Sequence, residues 1–87
     1  MAKPKDGYMR VQIDLSPGDK TTLERIAEEA DLTEADVMRD ALRQFTRYVK
    51  HVNSGGVIVY KFNDPLQSEE FETANMTRYK GIDVSKL

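Results

Sequence analysis

Apolar and polar residues alternate without a break at positions 9 to 15, Met9-Arg10-Val11-Gln12-Ile13-Asp14-Leu15, and the alternation then stops. A period of two is that of a strand, so Met9, Val11, Ile13 and Leu15 share one face and Arg10, Gln12 and Asp14 the other. Ser16-Pro17-Gly18-Asp19 follows at once. It offers a hydroxyl to cap a helix, a proline suited to the first helical position, and a carboxylate three residues after the serine. From there the period is helical: Leu23, Ile26, Ala27 and Ala30 recur at helical spacing while Lys20, Glu24, Arg25, Glu28 and Glu29 are left for solvent, which predicts a helix over Pro17–Ala30. Thr33 and Asp36 repeat the start signal, so a second helix begins at Glu34. Its apolar stripe, Val37, Met38, Ala41, Leu42, Phe45, Val49 and Val52, carries it to about Val52. With Asp31-Leu32 as the whole turn, the two helices form a tight hairpin or cross at an angle.

Asn53-Ser54-Gly55-Gly56 ends the second helix, and the β-branched and aromatic run Val57-Ile58-Val59-Tyr60-Lys61-Phe62 reads as an accessory strand closed by Asn63-Asp64-Pro65. It is expected to pair with its symmetry mate, cover a dimer or extend a higher assembly. Residues 66–87 are polar with scattered Phe71, Met76, Tyr79, Ile82, Val84 and Leu87, too few for an independent core, so they read as a tail that orders against its own dimer or a partner. The first strand poses a problem that its own domain does not solve. A strand followed by helices leaves its backbone N–H and C=O groups without a ladder, and the simplest remedy is a second copy of the chain.

Composition narrows the classes. Eighty-seven residues, 39% hydrophobic and 32% charged, allow one small domain with a modest core, a size at which oligomerisation is favoured. Without cysteine there is no disulfide framework and no thiolate metal site. No apolar run approaches the roughly 20 residues that span a bilayer, and Met1-Ala2-Lys3-Pro4-Lys5-Asp6 lacks the apolar stretch of a signal peptide, so no membrane partner and a cytoplasmic location are expected. The net charge of −2 opposes phosphate attraction as a sum. Its distribution is uneven: Lys3, Lys5 and Arg10 sit before and within the strand, while Glu28, Glu29, Asp31, Glu34 and Asp36 cluster in the middle.

The order strand, helix, short turn, helix over residues 8–52 resembles the ribbon-helix-helix DNA-binding repressors, the class of the Arc and MetJ repressors. The matches are the alternating strand, the Leu15-Ser16-Pro17 junction, and Ile26-Ala27-Glu28-Glu29-Ala30-Asp31-Leu32-Thr33 leading into Val37-Met38-Arg39-Asp40-Ala41-Leu42. The resemblance implies an α+β, mainly α, homodimer whose strands pair as an intermolecular antiparallel ribbon entering the major groove of double-stranded DNA. By position it implies that Arg10, Gln12 and Asp14 face base edges. Arg suits guanine O6 and N7, Gln suits adenine N6 and N7, and Asp can accept from cytosine N4. It also implies phosphate contacts from the start of the second helix, at Thr33, Glu34 and Ala35, where free N–H groups and the positive end of the helix dipole meet. Lys3 and Lys5, on a flexible basic arm over residues 1–7, would add backbone contacts. The domain plan is thus arm 1–7, dimerisation and DNA-binding domain 8–52, and C-terminal strand and extension 53–87.

The chain departs from the family pattern at Asp31, where a glycine is usual, and at Glu34 and Asp36, which place carboxylates at the expected phosphate site. Arg39, Arg43 and Arg47 recur every four residues as a basic stripe within reach of Asp36 and Asp40. Two function classes follow. One is a transcriptional regulator, a repressor reading a palindromic operator as a dimer or as a higher oligomer on DNA. The other is a protein-interaction module or antitoxin whose residues 57–87 bind a protein partner. Catalysis is not expected: His51 is the single histidine, no glycine-rich phosphate loop is present, and Glu28-Glu29 and Glu69-Glu70 are adjacent pairs that do not share a helix face. No cofactor or metal is expected.

Overall fold

The computed structural model describes residues 7–87. Their architecture is α+β and mainly helical: α1 (Pro17–Ala30), α2 (Glu34–Asn53), β1 (Val59–Lys61), β2 (Ser68–Glu70) and two short 3-10 turns, Met76–Tyr79 and Val84–Lys86. They divide into two compact units, one running to Val37 and one beginning at Met38.

In the first unit, the caps set the helix starts. Ser16 is extended, its Oγ accepts from Asp19 N–H at 3.1 Å, and Pro17 occupies the first turn where it has no hydrogen bond to lose. At the other end, Asp31 takes the left-handed conformation (φ 55°, ψ 45°). Its N–H donates to Glu28 O at 3.2 Å while Leu32 N–H donates to Ala27 O at 2.9 Å, the paired bonds of a Schellman ending. The same motif recurs at the end of α2. There Gly55 supplies the positive φ, its N–H donates to Val52 O at 3.3 Å, and Gly56 N–H donates to His51 O at 2.7 Å. α2 starts at Glu34 as its cap predicts and ends at Asn53.

In the second unit, β1 and β2 form an antiparallel hairpin with Val59 opposite Glu70, Tyr60 opposite Glu69 and Lys61 opposite Ser68. Phe71 N–H donates to Ile58 O at 2.7 Å and continues the ladder. The turn is organised by Asp64, whose Oδ1 accepts from Leu66 N–H at 2.9 Å and whose backbone oxygen accepts from Gln67 N–H at 3.0 Å. The accessory strand expected at 57–62 is therefore present as the shorter β1, and its ladder partner is Ser68–Glu70 of the same chain.

Residues beyond the hairpin order against α2 of their own chain. Tyr48 is 2% exposed and Val49 6%. Phe71 packs on Tyr48 at a tilt of 56° with ring centroids 4.8 Å apart, Tyr79 meets the edge of Phe45 at 4.8 Å, and Tyr60 reaches Phe71 at 5.9 Å. Aromatic pairs of this geometry contribute about 0.5–1.5 kcal/mol each beyond simple burial. Asn53 then fixes the chain that follows. Its Nδ2 donates to Val49 O at 2.9 Å and to Tyr79 O at 2.8 Å, and its Oδ1 accepts from Gly81 N–H at 2.6 Å and Ile82 N–H at 3.1 Å. One amide side chain thus bonds the last turn of α2 to three positions nearly thirty residues away.

Candidate nucleic-acid interface

Residues 8–15 form no ladder with any other described residue, and every one of them is exposed. The apolar members lose exposure toward α1, from 93% at Met9 through 82% at Val11 and 55% at Ile13 to 36% at Leu15. Arg10, Gln12 and Asp14, which alternate with them in sequence, are exposed as well. Exposed apolar side chains of this kind are costly in water, at about 25 cal/mol per Å² of apolar surface.

Asp14 and Glu34 come together. With Ile13, Leu15, Lys20 and Leu23 they line a shallow hollow of about 270 Å³ in the first unit. Lys20, which the helical pattern left for solvent, lines the same hollow as these two carboxylate residues. Its ion-pair partner is Glu24, one turn on at 3.9 Å. Neither the strand pattern nor the helix pattern shows this meeting, because it depends on how residues 13–15 lie against the first turns of the helices.

At the start of α2, Thr33 and Asp36 cap each other: Asp36 N–H donates to Thr33 Oγ1 at 3.0 Å, and Thr33 N–H donates to Asp36 Oδ2 at 3.2 Å. Of the three residues expected to hold a phosphate, Thr33 has its N–H occupied by its own chain. Glu34 and Ala35 lie in the first turn, where helix geometry gives an N–H no intrahelical acceptor, and these two are the donors directed outward at the helix end. The Glu34 carboxylate stands beside them. Farther along α2, the basic stripe Arg39, Arg43 and Arg47 is exposed, and Arg43 lies 3.8 Å from Asp40 with both side chains mostly in water. Such a pair contributes little. Lys3 and Lys5 lie outside the described residues.

Other chemistry is sparse. Among the described residues there is no group of three His, Cys, Asp or Glu side chains placed to hold a metal ion, and no helix long and apolar enough to cross a membrane. The carboxyl of Asp83 lies below its ordinary range because Ser85 Oγ–H and N–H both donate to it, an arrangement that caps the last 3-10 turn. No family model, curated protein or solved structure matches the chain.

Proposed function

We propose that the chain is a homodimeric, sequence-specific DNA-binding regulator, a repressor in its simplest form, whose residues 9–15 pair with those of a second copy and present Arg10, Gln12 and Asp14 to the major groove. The observation that carries this reading is the exposed, ladderless alternation of residues 9–15 leading directly into a capped helix and a second capped helix after a two-residue turn. Pairing two such segments gives them a common ladder and removes their apolar side chains from water on one side. The other side then offers two copies of Arg, Gln and Asp to base edges, a two-stranded ribbon of the width the major groove admits.

The outward Glu34 and Ala35 N–H groups supply positioning contacts to phosphate, and Lys3 and Lys5 supply sequence-independent attraction. The acidic residues around the helix start reduce that attraction, so base recognition has to carry a larger share of the affinity. The test is binding of the full chain to labelled DNA from the gene's own upstream region and to a scrambled duplex across a salt series. Preference for the native duplex at physiological salt supports the reading; equal or absent binding to both duplexes overturns it.

A further inference from the structure

Arg39, Arg43 and Arg47 repeat every four residues along α2, Lys50 follows three residues later, and all four are exposed. At about 100° and 1.5 Å per residue they fall within an arc of about 80° and span about 16 Å of helix. The other side of α2 carries Phe45 and Tyr48, which Tyr79 and Phe71 cover, so the basic side is turned away from the packed aromatics. We propose that this basic face is a sequence-independent contact to the phosphate backbone of double-helical DNA, separate from residues 9–15 and from the start of α2. The inference rests on the reading of the chain as a DNA-binding protein and adds to it a second surface, carried by the second unit.

Charge supports a polyanion as the partner. Residues 38–87 hold eight Lys and Arg against six Asp and Glu, a net charge of +2 in a chain whose total is −2. Within α2 from Met38 onward, the four cations stand against the single carboxylate of Asp40. That carboxylate lies 3.8 Å from Arg43 with both side chains mostly in water, a pair too weakly held to withdraw Arg43 from another anion. Asp36, at the N-terminal end of the arc, accepts from Thr33 N–H in the cap. Like charges four residues apart repel along a helix, so the repeat works against α2 and is relieved by an anion that spans it. The make-up of the face selects the kind of anion. No aromatic or apolar residue of α2 falls within the arc. A protein interface needs such anchors at its centre, and single-stranded nucleic acid needs rings on which its bases stack. A duplex backbone needs only cations at intervals, and guanidinium groups match phosphate oxygens two at a time.

Binding of the full chain to native and scrambled duplexes across a salt series tests the proposal, with near-UV circular dichroism of the Tyr48–Phe71–Tyr79 cluster as the check on folding. Arg43→Gln combined with Arg47→Gln is expected to weaken both duplexes alike, by on the order of ten- to a hundredfold at low salt, and to lower the salt slope by about two units for each copy bound. Arg43→Lys combined with Arg47→Lys keeps the charges and is expected to keep the parent's slope. Should the glutamine pair lose the aromatic signal, Lys50→Gln alone replaces it and is expected to lower the slope by about one unit for each copy. The proposal is overturned if a folded glutamine variant binds both duplexes with the parent's affinity and slope, which leaves the face to an acidic protein; a parent that still prefers the native duplex then keeps the operator reading intact. A changed preference between duplexes in the variant overturns it too, because phosphate carries no base identity. Equal binding of the parent to both duplexes, lost in the glutamine variant, supports the basic face and overturns the operator reading alone. A parent that binds neither duplex at low salt overturns both.

Discussion

Two helix endings of the same design differ by one residue. The αL position after α1 is Asp31, and the one after α2 is Gly55. A side chain in αL costs roughly 1–2 kcal/mol for most residues and less for Asp or Asn, and a carboxylate at a helix C-terminus also faces the negative end of the dipole. Asp31→Gly is therefore expected to stabilise the fold by about 0.5–1 kcal/mol, and Gly55→Ala to destabilise it by about 1 kcal/mol, in urea unfolding. Equal and small effects from both would mean that the endings fray in solution. The strand residues make a different kind of prediction. Arg10→Ala or Gln12→Ala should leave stability unchanged and lower operator affinity by about 1–3 kcal/mol with relaxed base preference, the loss expected for one good bidentate contact. Operator affinity equal to the parent's would show that the polar face does not touch base edges.

At the scale of elements, the C-terminal segment depends on α2 for its order. The aromatic contacts of Phe71 and Tyr79 and the four hydrogen bonds of Asn53 tie residues 71–82 to the last two turns of the helix. Asn53→Ala removes all four bonds, two of them part-buried, and leaves the Val49 and Tyr79 carbonyls and the Gly81 and Ile82 N–H groups to find water. A cost of about 2 kcal/mol is expected, together with faster amide exchange at Gly81 and Ile82 while exchange within α1 stays unchanged. Faster exchange across the whole chain would indicate instead that Asn53 supports the global fold. These elements were unequally legible. Both helices follow from caps and period, and their starts coincide with Ser16 and Thr33. β2 does not follow, because Ser68-Glu69-Glu70 has neither alternation nor β-propensity; the Asp64 turn folds it back onto β1. The hydrogen-bonding role of Asn53 was hidden for a similar reason, since locally it reads as the end of a helix.

For the whole molecule, the balance of enclosed and exposed surface is decisive. Among the described residues, Ala27, Tyr48 and Val49 are the enclosed hydrophobic side chains, while Met9, Val11, Leu42 and Leu66 are each more than 60% exposed. A chain stabilised by association has a melting temperature that rises with its concentration. Thermal scans over a hundredfold range of concentration are expected to show that rise, and a constant midpoint would indicate a self-sufficient monomer. Electrostatics act at the same scale. Lys3→Ala and Lys5→Ala should weaken binding to native and scrambled duplexes alike and flatten the salt dependence, by up to about one unit of slope for each phosphate no longer neutralised. A change in preference between duplexes would place the arm at bases instead.

Local order in this chain was determined by the sequence itself. The Ser16 and Thr33 caps, the helical spacing of apolar residues and the glycines after Ser54 act within a few residues of backbone, where sterics and short hydrogen bonds decide the conformation, whereas the alternation over residues 9–15 forms no strand among the described residues. The tertiary structure decided what lies opposite what: the pairing of Val59 with Glu70, the seating of Phe71 and Tyr79 on Tyr48 and Phe45, the reach of Asn53 to Gly81, and the hollow that Asp14, Lys20 and Glu34 line in common. These contacts join residues that local pattern treats as independent. Their selection rests on which combination encloses the most apolar surface while satisfying backbone groups, a property of the folded chain as a whole.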